Sequence, residues 1–162
     1  MMKWHWLRHL QPSQMKDLQD LYQMEWWSKG RTLRQIRKML QLSDLLFAAV
    51  DADERLIAFA RVVTDFTYRA TLLDVIVHPD HRGKGLGRAL LEKVLSHPRL
   101  RPVERLDLFC LPPLIPFYKK MGFQADRLGI VRLSIDPKQG PSALNRNFKN
   151  IKRRKKRDAH RA

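Results

Sequence analysis

Residues 71–91, TLLDVIVHPDHRGKGLGRALL, pass from an apolar strand through a glycine-rich turn directly into the start of a helix. The strand half is apolar except for Asp74, and Pro79 prevents further strand pairing before the glycines begin. Glycines at alternate positions of RGKGLGR leave room for a ligand to approach the backbone N–H groups of the first helical turn, where the helix dipole also attracts anions. The segment therefore predicts a phosphate-binding turn.

Two common phosphate-binding motifs do not match this turn. A dinucleotide fingerprint needs a third glycine three residues after the second, and Arg88 and Leu90 occupy the two candidate positions. A P-loop needs Lys-Ser or Lys-Thr after a glycine, which the turn lacks. The remaining pattern is V-x-P-x-x-R-G-x-G-x-G, beginning at Val77.

That pattern resembles the acetyl-coenzyme A signature of the GNAT N-acetyltransferase superfamily. A second element of the superfamily, F-Y-x-x-x-G-F, is matched by residues 117–123, FYKKMGF, after the strand-like LDLFC of residues 106–110. The resemblance covers about residues 3–136. It implies an acetyl-CoA-dependent N-acetyltransferase that binds acetyl-CoA as a co-substrate and uses no metal.

The fold class that the resemblance implies is α+β, the GNAT acyl-CoA N-acyltransferase fold. Its sheet is mixed and mostly antiparallel, is flanked by helices, and has two central parallel strands, here around 71–77 and 105–110, splayed apart to admit the coenzyme. A helix over 86–97 makes the crossover that parallel strands require. We predict a GNAT domain over residues 1–136 and a basic extension over 137–162.

Hydrophobic periodicity predicts the other elements. A short strand carries Trp4 and Trp6, a helix spans 13–25 with Ser13 as its cap, and Thr32 caps a second helix. Strands at 45–50 and 56–63 form a hairpin, and FQADRL and GIVRLSI, residues 123–128 and 129–135, form a last one.

Composition limits the class of protein and its compartment. The chain has 162 residues, which suits a single domain that buries an adequate core, and its lone Cys110 cannot form an internal disulfide. No stretch is long and apolar enough to predict a transmembrane helix or a signal peptide. We expect a cytoplasmic protein, with a homodimer left open.

The net charge of +16 is concentrated near the end of the chain. Residues 137–162 carry ten Lys or Arg against one acid, including the run KRRKKR at 152–157. Such a run predicts a flexible segment that binds nucleic acid or another anionic surface through electrostatics, or else only a solubilising tail.

The resemblance assigns coenzyme contacts to the strand and the turn. Backbone groups of Val75, Ile76 and Val77 would bind the pantetheine arm like an added strand, and one strand N–H would polarise the thioester. The pyrophosphate would be held by Arg82, Gly83, Lys84, Gly85, Leu86, Gly87 and Arg88.

Tyr118 is the predicted general acid, because a phenol is protonated at neutral pH and can donate a proton to the leaving thiolate.

The residues leave several alternatives for the general base. Many superfamily members have a glutamate where this chain has Leu106, and Asp107 should face the opposite side of the sheet. Asp74 is the alternative, as a base, as a group that binds the amine, or as a structural carboxylate. A water chain without a dedicated base is a further alternative, and Cys110 could form a covalent intermediate.

The acceptor pocket implied by the resemblance involves the connection between the first two helices and the following strands. Trp26 and Trp27 suggest an aromatic wall unless they belong to the core, and Asp65 suggests an ammonium counter-ion. The segments WSKGRT, TDFTYR and DVIVHPDHRG also resemble bacterial or cyanobacterial-type GNAT proteins likened to arylalkylamine acetyltransferases. The other candidate pocket residues are Ser28, Arg31, Phe66 and Tyr68.

We therefore expect acetyl transfer to a small primary amine, such as an arylalkylamine, by direct attack in a ternary complex. The alternatives are a protein lysine or N-terminal acetyltransferase, and a non-catalytic protein that binds coenzyme A or nucleic acid.

Overall fold

A computed structural model describes residues 4–124. The helices and strands, in chain order, are β1 (His5–Leu7), α1 (Pro12–Met24), α2 (Leu33–Gln41), β2 (Leu45–Val50), β3 (Leu56–Thr64), β4 (Arg69–Val77), α3 (Leu86–Leu95), β5 (Arg105–Leu108) and α4 (Ile115–Lys120). The predicted hairpin after residue 123, the predicted boundary at residue 136 and the basic run at 152–157 lie outside the described residues or extend beyond them. Within residues 4–124, no helix has the length and apolar character needed to span a membrane.

The strands form one sheet in the order β1-β2-β3-β4-β5. Neighbours from β1 to β4 are antiparallel, whereas β4 and β5 are parallel and are joined through α3, as the sequence predicted. This mixed sheet with helices on its faces is the expected α+β fold.

The starts of α1 and α2 follow local sequence rules, but the start of α1 differs from the prediction. Thr32 caps α2, where its hydroxyl accepts a hydrogen bond from the Gln35 N–H at 3.3 Å. α1 is preceded by Gln11 instead of Ser13, and Pro12 occupies the first helical position. Proline suits that position because its fixed φ is helical and its missing N–H would have no helical partner there. Ser13 as the cap was therefore wrong by two residues.

Two apolar cores lie on opposite faces of the sheet. One contains α3 residues such as Leu90 and Leu91, together with Tyr118 of α4 and Leu72 of β4. The other contains Leu18 and Tyr22 of α1, Ile36 of α2, Phe59 of β3 and Ile76 of β4. Because β4 contributes to both cores, it is fixed from both sides.

Candidate active site

A β-bulge in β4 sets the geometry of the site. Phe59 pairs with Ile76 and Arg61 pairs with Leu73, so two residues of β4, Asp74 and Val75, lie opposite one residue of β3. Asp74 has φ +53°, a left-handed conformation that aspartate tolerates better than most residues. The bulge interrupts the alternation of β4, so that Leu72 and Val75, three residues apart, both contact the α3-side core.

The Asp74 side chain is 5% exposed, accepts hydrogen bonds from two residues and forms an ion pair with a third. Its Oδ2 accepts hydrogen bonds from Arg61 Nε at 2.6 Å and from the Tyr22 hydroxyl at 2.9 Å. Arg31 Nη1 lies 3.2 Å from the same oxygen. Burial and the neighbouring carboxylate of Asp74 raise the pKa of Tyr22, so its hydroxyl remains a donor. This arrangement favours the structural role among those predicted for Asp74.

Arg61 is the residue of this cluster that sequence reasoning missed. It is the only charged residue in β3, LIAFARVVT, and its side chain is 15% exposed. A buried charge must be paired, so a single arginine in an apolar strand should have directed attention to the single acid of the neighbouring strand.

Beyond Leu72, β4 is no longer paired with β5. The parallel register runs from Arg69 with Arg105 to Leu72 with Leu108 and then stops, whereas β4 continues to Val77. Five residues at the end of β4, about 16 Å of strand, therefore have no β5 partner in the described part of the chain. This is the predicted splay, and it leaves the backbone of Val75 to Val77 able to accept an added extended segment.

The glycine turn follows this splayed end. Gly83 and Gly85 have φ of +71° and +84°, conformations that side chains with a Cβ rarely adopt. Gly85 immediately precedes α3 and provides no side-chain cap, so the N–H groups of the first turn of α3 are available to an anion. A coenzyme pyrophosphate fits these residues.

Gly87 connects the two sequence motifs in space. A Cβ at this position would lie 3.6 Å from Phe117 Cζ and 3.7 Å from Val77 Cγ2. The second motif on α4 therefore packs against the first turn of α3 and the end of β4. Tyr118, the next residue of α4, lies in the α3-side core together with Leu72 of β4.

Tyr118 is 7% exposed and makes edge contacts with Phe117 and Phe123, at centroid distances of 5.1 and 5.9 Å. Burial, with a smaller effect of Cys110, raises the pKa of Tyr118 to about 12. The phenol is therefore a proton donor throughout the range in which enzymes operate.

The basic side chains of the turn have protein partners. Arg82 donates to the Val77 carbonyl at 2.9 Å and to Glu25 at 2.6 Å, so it links the end of α1 to the end of β4. Lys84 donates to the Asp80 carbonyl at 2.7 Å, and Arg88 donates to Glu92 at 2.8 Å. All three are exposed, so their charges still contribute to an electropositive turn.

The other candidates for base and nucleophile have weaker positions. Leu106 packs in the α3-side core, and Asp107 on the opposite face pairs with Arg69 at 3.3 Å with nearly half of its side chain exposed. Cys110 is exposed, two residues beyond the end of β5.

The connection between α1 and α2 places its tryptophans at the surface. Trp26 is 73% exposed and Trp27 is 38% exposed, so neither lies in the core. The rings of Trp27 and Tyr22 meet edge to face at 6.2 Å. Ser28 is buried and donates to the Tyr22 carbonyl at 2.9 Å, which fixes the connection against α1. Trp27 is therefore available as one wall of an acceptor site.

Asp65, Phe66 and Tyr68 lie in the turn before β4, about one strand length from the glycine turn. Asp65 Oδ1 accepts three backbone hydrogen bonds from residues 67–69, and these bonds lower its pKa, with that from Arg69 contributing most. Phe66 is covered by the Arg99 guanidinium at 3.7 Å, and Tyr68 is exposed. The structure does not bring Asp65 and Tyr68 together with Trp26 and Trp27, and the position of Asp65 gives no support to its predicted role as an ammonium counter-ion.

A mixed sheet of this order, with a glycine turn at the splayed end of β4, is the architecture that the sequence resemblance implied, and a solved structure has the same fold. It comes from a Xanthomonas campestris pv. campestris protein assigned to the GNAT family, with a TM-score of 0.70 and 28% identity over 82% of this chain and 94% of that one. The chain belongs to the acetyltransferase (GNAT) family, whose model matches residues 1–123.

Two curated relatives extend this assignment. A protein of Pyropia yezoensis named uncharacterized N-acetyltransferase ycf52 is 32% identical over 70% of this chain and 67% of its own length. A protein of Oryza sativa subsp. japonica named serotonin N-acetyltransferase 2, chloroplastic, is 32% identical over 59% of this chain and 50% of its own. Because relatives of this kind include one named chloroplastic, the expected cytoplasmic location is not confirmed.

Proposed function

We propose that the protein transfers the acetyl group of acetyl-CoA to a small primary amine by direct attack in a ternary complex. The observation that carries this proposal is the splayed end of β4, with the glycine turn at its tip and Phe117, the residue before Tyr118, packed against both. Coenzyme and acceptor can approach such an opening from opposite faces of the sheet, so both can be bound at once.

The coenzyme would be held by backbone groups. Val75, Ile76 and Val77 offer unpaired strand edges to the pantetheine arm, and the α3 N-terminus offers N–H groups to the pyrophosphate. The bound thioester supplies the acetyl group and leaves as a thiolate.

The reaction exchanges a C–S bond for a C–N bond. The amine nitrogen attacks as the neutral base and releases its proton to water, and the Tyr118 hydroxyl donates to the departing sulfur. Asp74 has a structural role in this scheme, because its Oδ2 accepts hydrogen bonds from Tyr22 and Arg61 and forms an ion pair with Arg31.

The first test is thiol release with arylalkylamines, polyamines and lysine peptides. We expect turnover with small amines and intersecting initial-rate lines, the pattern of a ternary complex. Parallel lines would indicate an acetyl-enzyme, for which Cys110 is the candidate. Turnover with peptides alone would identify a protein acetyltransferase, and coenzyme binding without any turnover would contradict the proposal. The exposed Trp27 beside Tyr22 makes arylalkylamines the first compounds to assay.

Gly85→Ala is expected to weaken acetyl-CoA binding by about tenfold or more, since a Cβ at φ +84° strains the turn by ~1–2 kcal/mol and projects where the pyrophosphate should approach. Calorimetric titration with acetyl-CoA measures the effect. Gly30→Ala is the matched control, because Gly30 has φ +92° and equally open surroundings but lies in the α1–α2 connection. Equal effects of both variants on coenzyme affinity would argue against a pyrophosphate site at the turn.

A further inference from the structure

A cavity of about 310 Å³ lies between α2 and the sheet, next to the bulge in β4. It is lined by Arg31, Gln35, Ile36, Met39 and Arg61. Two of these side chains are cations, one is an amide and two are apolar, and none is acidic. The cavity therefore has a wall of hydrogen-bond donors and an apolar wall.

The donor wall has more positive charge than the protein itself neutralises. Arg31 and Arg61 share a single carboxylate, that of Asp74, which leaves one positive charge in excess. A monocationic amine would meet repulsion in this cavity, whereas an anionic group would be attracted.

Several donors in the cavity are not used by the protein. Arg31 Nη1 lies 3.2 Å from Asp74 Oδ2 without a hydrogen bond within the described residues, and the Arg31 side chain is 32% exposed, so part of its guanidinium can meet a ligand. Arg61 donates one N–H to the Asp74 carboxylate and another, at 3.4 Å, to the Ser43 hydroxyl. The oxygen of the Gln35 amide accepts from Thr32, so its nitrogen remains as a donor.

Arg31 is also fixed in place before any ligand binds. Its guanidinium stacks over the Tyr22 ring at 4.4 Å and lies 5.3 Å from the Trp27 ring. The side-chain amides of Gln19 and Gln23 both hold its carbonyl, each at 3.2 Å. Such pre-organisation lowers the entropy that is lost when an anion is bound.

We propose that the acceptor is an amine that carries its own anionic group, a carboxylate or a phosphate monoester, and that Arg31 and Arg61 bind this group. The inference rests on the proposed acetyl transfer. Because Asp74 contacts both arginines and directly precedes Val75, the cavity adjoins the strand segment assigned to the thioester. An acceptor of modest size can therefore span both sites.

Matched pairs of amines test the proposal on the full-length wild-type protein. The pairs are β-alanine with propylamine, O-phosphoethanolamine with ethanolamine, and L-tryptophan with tryptamine, compared at equal concentrations of neutral amine. We expect kcat/KM to be at least about tenfold higher for the anionic member of one or more pairs, as charge-assisted hydrogen bonds to guanidinium predict. The first two pairs separate a carboxylate ligand from a phosphate ligand.

Arg31→Gln removes one cation from the cavity, and Arg34→Gln removes the same charge from an exposed residue of α2 that does not line it. Arg31→Gln should abolish the preference, lowering kcat/KM for the anionic member at least about tenfold with little change for the neutral one. Arg34→Gln should leave the preference intact. Inorganic phosphate should inhibit the wild type in competition with the amine, a measurement that needs no variant.

The outcomes also separate this inference from the function on which it rests. Equal turnover of both members of every pair would overturn the anionic acceptor but retain the acetyltransferase. A preference for O-phosphoethanolamine alone, without competition by inorganic phosphate, would also overturn the anion site. An equal loss for anionic and neutral amines in Arg31→Gln would assign Arg31 a structural role and overturn the inference. Absence of turnover with every amine would reject the proposed function itself.

Discussion

Replacing Tyr118 with phenylalanine is expected to lower kcat at least about tenfold while acetyl-CoA affinity stays unchanged, because the change removes only the proton that the departing sulfur receives. The ring contacts with Phe117 and Phe123 do not involve the hydroxyl, so the variant should fold normally. Thiol release and calorimetric titration measure the two quantities. Tyr68→Phe, which removes the same oxygen from an exposed tyrosine at the far end of β4, is the matched control.

The pH dependence of the wild type provides a second measurement for Tyr118. Burial raises the pKa of Tyr118 to about 12, so its hydroxyl remains protonated as pH rises. The rate should therefore increase with pH as the amine loses its proton, without a decline from Tyr118 below about pH 11. An unchanged kcat in Tyr118→Phe would remove the assignment, as would a loss of coenzyme affinity that accounts for the whole effect.

Asp74→Asn is expected to reduce the free energy of unfolding by ~3 kcal/mol, the lower end of the range for breaking a buried ion pair, because Arg31 and Arg61 are partly exposed. Asparagine is the suitable replacement, since it tolerates the φ of +53° and removes only the charge. Urea denaturation measures the change. Asp107→Asn, which breaks an exposed pair with Arg69, should alter stability by less than ~1 kcal/mol.

The same variant tests the role of Asp74 in catalysis. If Asp74 organises the site, Asp74→Asn should lose stability and bind the acceptor less well but retain the dependence of rate on the pKa of the amine. Unchanged stability together with a large fall in kcat and a flattened pH profile would identify Asp74 as the general base instead.

The starts of the helices could largely be predicted, because each start depends on the residues at that point of the chain. Thr32 supplies a cap for α2, and the glycines at 83 and 85 supply the left-handed turn before α3. α1 was displaced at its start because Pro12 and Ser13 both favour helix initiation, and the position of the proline decided between them.

The site residues that proved hardest to assign depend on distant neighbours. Asp74 could be a base, an amine ligand or a structural carboxylate until Arg61, Arg31 and Tyr22 were placed around its Oδ2. Asp65 resembled a free counter-ion in sequence, but its carboxylate completes a turn with its own following residues. The sequence shows where an acidic residue occurs. Whether its carboxylate oxygens are free to bind a substrate depends on the hydrogen bonds that the fold gives them.

The sequence by itself predicted the donor half of the proposed site, because the backbone groups and glycine conformations assigned to the coenzyme are encoded locally in residues 71–91. The proposed acceptor half depends on the tertiary structure. Arg31 and Arg61 belong to different elements and become a cationic cavity only when α2 packs on the sheet beside the β4 bulge. Charge excess is a property of groups brought together by folding, and no local pattern in the chain records it.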